Sequence, residues 1–464
     1  MGLKVCVLQP DYSTSNVDYQ YYDPARDLSS LLPDAHIDHV SLNKLTTYKQ
    51  LLSLKNKGYD IFVNLCEGYL EWEVPSIDVI HTLELLNLPY TGPTATLYDP
   101  SKELMKYVAY CEGVKTPSYH LISSLEQAQA ISDKTSFPMF LKPSKAGDSL
   151  GIDHASLVNT KEEFIIKASS LLLEYPEILA EEYIKGREFT VLVAANSDGR
   201  TSTSFKPVEY IFPEGFSFKT YSLKTSALHP GANIPCNDAN LEKALRYASE
   251  RIFKCFSGKG YARLDFRVNE QNEVYFLEIN FTCSVFYSDG LEGSADYILK
   301  YDGIGQSGFL KHIIDEGISR HQRKQKPYQI KGNAIAGYGI YATKNILAGE
   351  LIYRGEERAH RIVTKKHVDT FWNDEEKLNF RRYAYPLSNE IFAIWDEEPS
   401  DWAPQNHSCD ANTAFSGLNT IAVKNISLGE ELTLDYAKFL DKEMEPFQCQ
   451  CGAPNCRGLI KGEC

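Results

Sequence analysis

The chain has 464 residues, 43% hydrophobic and 24% charged, a globular composition too long for one ordinary core of about 100–200 residues, so two to four domains are expected. Its 62 acidic and 48 basic side chains leave a formal charge of −14, which repels a phosphate backbone and argues against nucleic acid as a partner. No run approaches the ~20 apolar residues of a membrane helix, and MGLKVCVLQP lacks a signal-peptide core and has Cys6 where a myristoylation signal places Ser or Thr; a cytoplasmic protein with no membrane attachment is expected.

From Lys4 to Pro10, KVCVLQP is a short β-branched run ending at a breaker, and YDIFVNLCEG, Tyr59 to Gly68, repeats it after a helical stretch between Leu42 and Lys57. Strand, helix, strand opens an α/β sheet. Ile77, Ile80, Leu83 and Leu86 then fall at helical spacing, which stops at Pro89 and Gly92. FPMFLKP, EFTVLVAA, YARLDFRV and VYFLEIN read as further strands, LEKALRYASERIFKCF as a helix, and the alternation lasts to about residue 317. SRHQRKQKP, Ser319 to Pro327, is polar, basic and closed by proline, which marks 318–327 as the expected linker. From Tyr328 onward, short strand-like runs among Gly, Asn and Pro indicate a mostly β unit.

Chemistry concentrates in two places. Strand FPMFLKP delivers Lys142 and runs into SKAGDSLGI, where Gly147, Ser149 and Gly151 permit a loop whose N–H groups can wrap phosphates. EEYIKGREFTV offers Glu181 or Glu182 and then Glu188 on neighbouring strands, suited to an adenine amino group and ribose hydroxyls. Arg263 and Asp265 lie two apart on one strand and so share a face, as do Glu278 and Asn280 on the next. Asp265, Glu278 and Asn280 together give three hard oxygen ligands for Mg²⁺ ions that bridge phosphates.

With Lys102 and Lys106 in DPSKELMK and Lys224 in FKTYSLK, this order of residues resembles the ATP-grasp superfamily, in particular enzymes similar to D-alanine–D-alanine ligase, over about residues 1–317. The resemblance implies an α/β fold of several subdomains, with an N-terminal substrate subdomain over 1–97 and a nucleotide and metal domain over 98–317. It implies an ATP-dependent carboxylate–amine ligase: a carboxylate attacks the γ-phosphate, and an amine then displaces phosphate from the acyl phosphate. Lys102 and Lys142 would hold ATP phosphates, Glu181 adenine and Glu188 ribose, with Ser149 and Lys224 also at the nucleotide. Arg263 would stabilise the oxyanion of the tetrahedral intermediate. The substrates implied are amino-acid or peptide carboxylates and amines. Three departures argue against two D-alanines: QPDYSTS replaces the acidic anchor for the first ammonium, Glu67-Gly68 replaces His-Gly, and Cys283-Ser284 replaces Pro-Gly.

The second place is the tail. Cys449, Cys451 and Cys456 have a C-x-C-x4-C spacing, one ligand short of a tetrahedral zinc, and Cys409 in QNHSCDANT supplies the fourth if the tail folds back. AIAGYGIYATKNILAGELI, YRG, NHSCDAN, GEELTLDYA and this tail follow one another in the order of a SET domain with its post-SET zinc segment, and residues 328–464 resemble that family. The resemblance implies a mostly β SET domain over 328–448 and a small zinc-bound tail over 449–464. It implies methyl transfer from S-adenosylmethionine to an amine, a lysine of a peptide or protein being the usual acceptor. Gly337 and Gly339 would let backbone approach that cofactor, Asn406 and His407 would hold it, and Tyr436 would close the channel at the amine. Tyr383, Tyr385, Phe392 and Trp395 either line that channel or are ordinary core. The leading expectation is a bifunctional ligase and N-methyltransferase. A lysine methyltransferase whose other half only binds nucleotide or presents a partner, and a non-catalytic interaction protein, fit the same residues.

Overall fold

Val5 to Leu8 are consecutive, apolar and buried, as in a strand covered on both faces. They form β1 (Lys4–Pro10), the centre of a parallel sheet of order β2-β1-β3 with β2 (His36–Leu42) and β3 (Ile61–Asn64). β2, HIDHVSL, is a half-exposed edge whose polar residues hide it from a search for apolar runs. The expected helical stretch is correspondingly shorter, Thr47–Leu54, and with Ile77–Leu85 it covers one face of this sheet. The computed structural model describes residues 2–15, 23–68, 73–145, 151–219, 231–334, 336–355, 360–395, 403–443 and 445–463. Ser149 and Lys224, read from sequence as nucleotide contacts, lie outside these.

β4 (Tyr119–Ile122), β5 (Met139–Pro143), β6 (Leu157–Val158) and β7 (Ile178–Glu182) make an antiparallel sheet of order β4-β7-β5-β6, backed by helices Leu125–Ser132 and Lys161–Glu174. A larger sheet contains β8 (Arg187–Ala195), β9 (Ser202–Ser204), β10 (Val208–Tyr210), β11 (Asn233–Pro235), β12 (Tyr261–Val268) and β13 (Val274–Asn280), in the order β11-β10-β8-β12-β13 with β9 on β8. Helices Lys102–Cys111 and Ala239–Cys255 cover one of its faces. Helices Ser294–Asp302 and Gly305–Lys324 cover the other, which also meets β1 and β3.

Two expectations are corrected. Glu181 and Glu188 are not on neighbouring strands, because β7 and β8 belong to different sheets. The turn between them passes through Gly186 at φ +150°, so close to the chain that a Cβ would lie 2.0 Å from the Val268 carbonyl oxygen. Residues 319–324 are not linker but the end of helix Gly305–Lys324. Arg320, 5% exposed, donates to the carbonyls of Gly92 and Tyr90 at 2.9 and 2.6 Å and lies 4.6 Å above the Tyr90 ring. Arg320 is thus one of the residues that pack this basic, solvent-like stretch as the end of a helix.

The chain divides into two compact units, Met1–Gln322 and Arg323–Cys464. The second begins with the hairpin of β14 (Tyr328–Asn333) and β15 (Gly337–Ala342) and continues through β16 (Leu351–Tyr353), β17 (His360–Thr364), helices Lys365–Phe371 and Asp374–Tyr383, β18 (Tyr385–Pro386), β19 (Ile391–Trp395), β20 (Asn406–His407), β21 (Thr413–Ser416), β22 (Asn419–Ala422), β23 (Thr433–Leu434), β24 (Phe447–Gln448) and β25 (Leu459–Ile460). Its strands pair as β16-β22-β21, β17-β19-β18, β20-β23 and β24-β25 around small cores at Ile340, Ile352 and Leu432 and at Ala437, Leu440 and Ile460. Among the described residues no helix is long and apolar enough to cross a membrane.

Candidate functional site

In the first unit a cleft of about 150 Å³ lies where the two antiparallel sheets face each other. Cross-strand register builds its polar wall: β12 pairs with β13 so that Arg263 faces Asn280 and Asp265 faces Glu278. Asn280 Nδ2 lies 3.4 Å from Asp265 Oδ2 and 3.5 Å from Glu278 Oε1, which brings the three expected metal ligands together. Arg263 donates through Nε and Nη2 to the two oxygens of Asp265, at 3.2 and 3.1 Å. Burial alone would raise the Asp265 pKa, but Arg263 and then Lys219 hold it at about 2. The set is charged, oxygen-rich and compact, and so fits Mg²⁺.

Lys142 on β5 and Lys106 on helix Lys102–Cys111 both bind the Glu181 carboxylate, at 2.5 and 2.8 Å. Burial would raise that carboxyl, yet the two ammonium groups hold it at about 2. Lys102 lies 3.9 Å from Glu278. Glu188 receives Lys219 at 3.2 Å and Arg267 at 3.3 Å. Lys219 and Arg267 carry no local sequence signal of this role: Lys219 follows Phe218 in FKTYSLK, five residues before the expected Lys224, and Arg267 looks like an ordinary strand charge. Phe140, Tyr183, Ile184, Phe218 and Leu277 form the apolar side of the cleft, as a flat base requires.

Glu67, at the carboxyl end of β3, lies 3.5 Å from Arg26. Arg26 also donates to the carbonyls of Val285 and Leu65 at 3.0 and 3.1 Å, which ties the first sheet to the loop after β13 that carries Cys283 and Ser284. Burial pushes the Glu67 carboxyl up to about 7, only partly offset by Arg26.

In the second unit β20 and β23 run parallel, with Asn406 beside Thr433 and His407 beside Leu434. This places Tyr436 against His407: its N–H donates to His407 Nδ1 at 3.1 Å. The other ring nitrogen, Nε2, is 3.5 Å from Cys409 Sγ, and burial lowers the His407 pKa, consistent with a neutral ring bridging strand end and tail. The Tyr436 hydroxyl donates to the Gln405 carbonyl at 2.5 Å, and burial pushes its pKa up to about 12. Phe439 stands 5.5 Å from the Tyr436 ring, Phe415 5.0 Å from Phe439, and Tyr385 4.8 Å from Phe415, with Trp395 stacked on Phe415 at 6.0 Å. Tyr385 and Trp395 therefore belong to the aromatic group near Tyr436. Phe392 is 1% exposed and packs on Phe380 instead, and Tyr383 is 68% exposed. Phe415 and Phe439 have no local motif that announces them.

Gly337 adopts φ +81°, and Gly339 lies where a Cβ would meet Glu431 Oε1 at 2.4 Å. The Sγ atoms of Cys409, Cys449, Cys451 and Cys456 all lie within 4.8 Å of one another. Cys409 and Cys449 are 3.8 Å apart, and the edge of a tetrahedron with Zn–S bonds of 2.3 Å is about 3.8 Å. Backbone N–H groups of Cys409, Cys451 and Arg457 donate to these sulfurs, as thiolates require. The donor set fits zinc.

The family model for the D-Ala-D-Ala ligase C-terminus matches residues 108–285, and that for the SET domain matches 337–437. A D-alanine–D-alanine ligase of Bordetella petrii is 30% identical over 241 residues, 51% of this chain and 70% of that protein. Among solved structures, the D-alanine–D-alanine ligase of Coxiella burnetii shares the fold with a TM-score of 0.51 and 19% identity, over 70% of this chain and 97% of its own. That of Bacillus anthracis, solved with ATP, does so with a TM-score of 0.50 and 18% identity, over 70% and 99%.

Proposed function

Because the chain belongs to the D-alanine–D-alanine ligase family of ATP-grasp proteins and also carries a SET domain, we propose that it is a two-headed enzyme, an ATP-dependent carboxylate–amine ligase joined to an S-adenosylmethionine-dependent amine N-methyltransferase. The observation that supports the ligase half is the convergence of Asp265, Glu278 and Asn280 beside Arg263, Lys102 and Lys142, which puts metal ligands, phosphate-binding cations and an oxyanion donor in one cleft, none of which partner presentation alone requires. In the ligase, Lys102 and Lys142 bind the nucleotide phosphates, Ser149 and Lys224 also contact the nucleotide, and Glu181 and Glu188 serve adenine and ribose. Asp265, Glu278 and Asn280 would hold Mg²⁺, which would supply charge neutralisation for phosphoryl transfer. Arg263, oriented by its paired contact with Asp265, donates to the oxyanion that develops as the amine adds, a role of about 3 kcal/mol. Glu67 and the Cys283-Ser284 loop give the substrate site different walls from those a pair of D-alanines would need.

At the methylating end the acceptor amine must arrive neutral and in line with the departing sulfur. The Tyr436 hydroxyl gives its hydrogen to Gln405, so towards the amine its oxygen acts as an acceptor that aligns an N–H. Tyr385, Trp395, Phe415 and Phe439 exclude water around it. Zinc on Cys409, Cys449, Cys451 and Cys456 folds the tail against His407. A reducing compartment such as the cytoplasm keeps these thiols available as ligands.

The test is intact-mass analysis of reactions containing ATP, labelled S-adenosylmethionine and panels of amino acids, peptides and proteins. ADP should form only with a carboxylic acid substrate, and Glu278→Gln and Asn280→Ala should each remove nearly all of that turnover. Nucleotide binding without ADP from any acid would leave a methyltransferase with a nucleotide-binding partner domain.

A further inference from the structure

Glu431, in GEELTLDY, has no role in the account above, yet it is the most connected carboxylate of the second unit's glycine turn. Its Oε1 accepts from Asn406 Nδ2 at 2.6 Å. Asn333 Nδ2 lies 2.9 and 3.0 Å from its two oxygens. Asn406 Nδ2 gives its other hydrogen to the Tyr338 carbonyl at 3.0 Å. Both partners of that nitrogen are acceptors, so the amide has one satisfactory orientation, and Oδ1 is its remaining hydrogen-bonding atom. Glu431 is itself fixed: its backbone bridges to Tyr341, and buried Asn412 donates to its carbonyl at 2.8 Å. The approach is close enough that a Cβ on Gly339 would meet Glu431 Oε1 at 2.4 Å and Asn406 Nδ2 at 2.9 Å. Glycine at 339 is thus required by this carboxylate.

We propose that Glu431 is a positioning residue for the methyl donor, turning Asn406 so that Oδ1 is presented as an acceptor and polarising it towards a cationic donor, the α-ammonium of the cofactor's amino-acid end. A carboxylate on the N–H₂ side of an amide increases the negative charge on its oxygen, and hydrogen bonds in such a chain reinforce one another. The adenosine portion does not draw on this chain. The inference rests on the methyltransferase reading, and the test separates the two.

Binding of S-adenosylhomocysteine, which carries the ammonium, and of 5′-methylthioadenosine, which lacks the amino-acid end, is measured calorimetrically on the full chain. Glu431→Ala should weaken S-adenosylhomocysteine at least 10-fold and leave 5′-methylthioadenosine within 2-fold, with zinc content unchanged. In turnover, KM for S-adenosylmethionine should rise while kcat changes little, a split that general disruption would not give. Glu431→Gln keeps an acceptor for Asn406 without the charge and should recover most of the loss; if the alanine variant does not fold, the glutamine variant decides, with a loss of about 3-fold for S-adenosylhomocysteine alone as the expected result. Equal weakening of both ligands, or of neither, overturns the role of Glu431. Wild-type protein that binds neither ligand overturns the methyltransferase reading, and this inference with it.

Discussion

At Tyr436 the hydroxyl gives its hydrogen to Gln405, and on the proposed methyltransferase reading its lone pairs would serve an incoming amine. Tyr436→Phe keeps the ring contacts with Phe439 and His407 but removes that oxygen, and should slow methyl transfer at least ~100-fold while affinity for S-adenosylhomocysteine is kept. Because burial pushes its ionisation up to about 12, no limb of the pH–rate profile below about pH 10 should belong to it. A limb that disappears in the mutant would make it a base instead of an aligning group. Residues such as His407, Tyr436 and Cys449 were legible in the sequence because each sits in a short motif that fixes its neighbours. Glu431 and Lys219 were not, since their meaning lies in Asn406 and Glu188, each more than 20 residues away, and only the tertiary fold brings those pairs together.

Among the elements, β12 and β13 were readable to the residue because alternation places Arg263, Asp265, Glu278 and Asn280 on one face whatever the rest of the fold does. The relation of β7 to β8 was not, because the turn at Gly186 that separates their sheets is dictated by a close approach to Val268. Two buried carboxylates, Glu181 on β7 and Glu67 after β3, respond to pH with opposite sign. Glu181, ordinarily titrating near 4.5, is held at about 2 by Lys106 and Lys142; the folded protein binds its proton more weakly than the unfolded chain, so its stabilisation is present above about pH 4.5 and is lost as the pH falls towards 2. Glu67 is pushed up to about 7; here the folded protein binds the proton more tightly, so stability falls as pH rises from about 4.5 to 7. Melting temperatures measured across this range should lose their high-pH decline in Glu67→Gln and part of their acid decline in Glu181→Gln. An unchanged slope in either variant would show that its carboxyl is not perturbed in the fold.

The division of the whole molecule followed from motif order, since each half carries its own motifs, and the hydrophobic cores of residues 1–322 and 323–464 are separate. The join was harder to read: SRHQRK has a linker's composition, yet it ends helix Gly305–Lys324, with Arg320 buried against Gly92. Separate cores mean that metal loss in the tail should disable one chemistry alone. Cys456→Ser should release zinc, measured by mass spectrometry of the metal, and abolish methyl transfer through the contacts that tie the tail to Asp435 and His407, while ATP-dependent ADP formation persists. Normal methylation by a zinc-free protein would remove the metal from the account.

The carboxylates of the ligase cleft are not waiting empty-handed. Asp265 is already clasped by Arg263, and Glu278 has Lys102 at 3.9 Å. A divalent ion entering alone would have to evict these internal counter-ions and leave them without an anion, an unfavourable trade in a buried site. Arriving with a polyphosphate, it brings the evicted cations a replacement anion. On the proposed ligase reading, loading would be an exchange of partners in which nucleotide and metal favour each other's entry, and the resting protein would discriminate against stray divalent cations until a nucleotide is present.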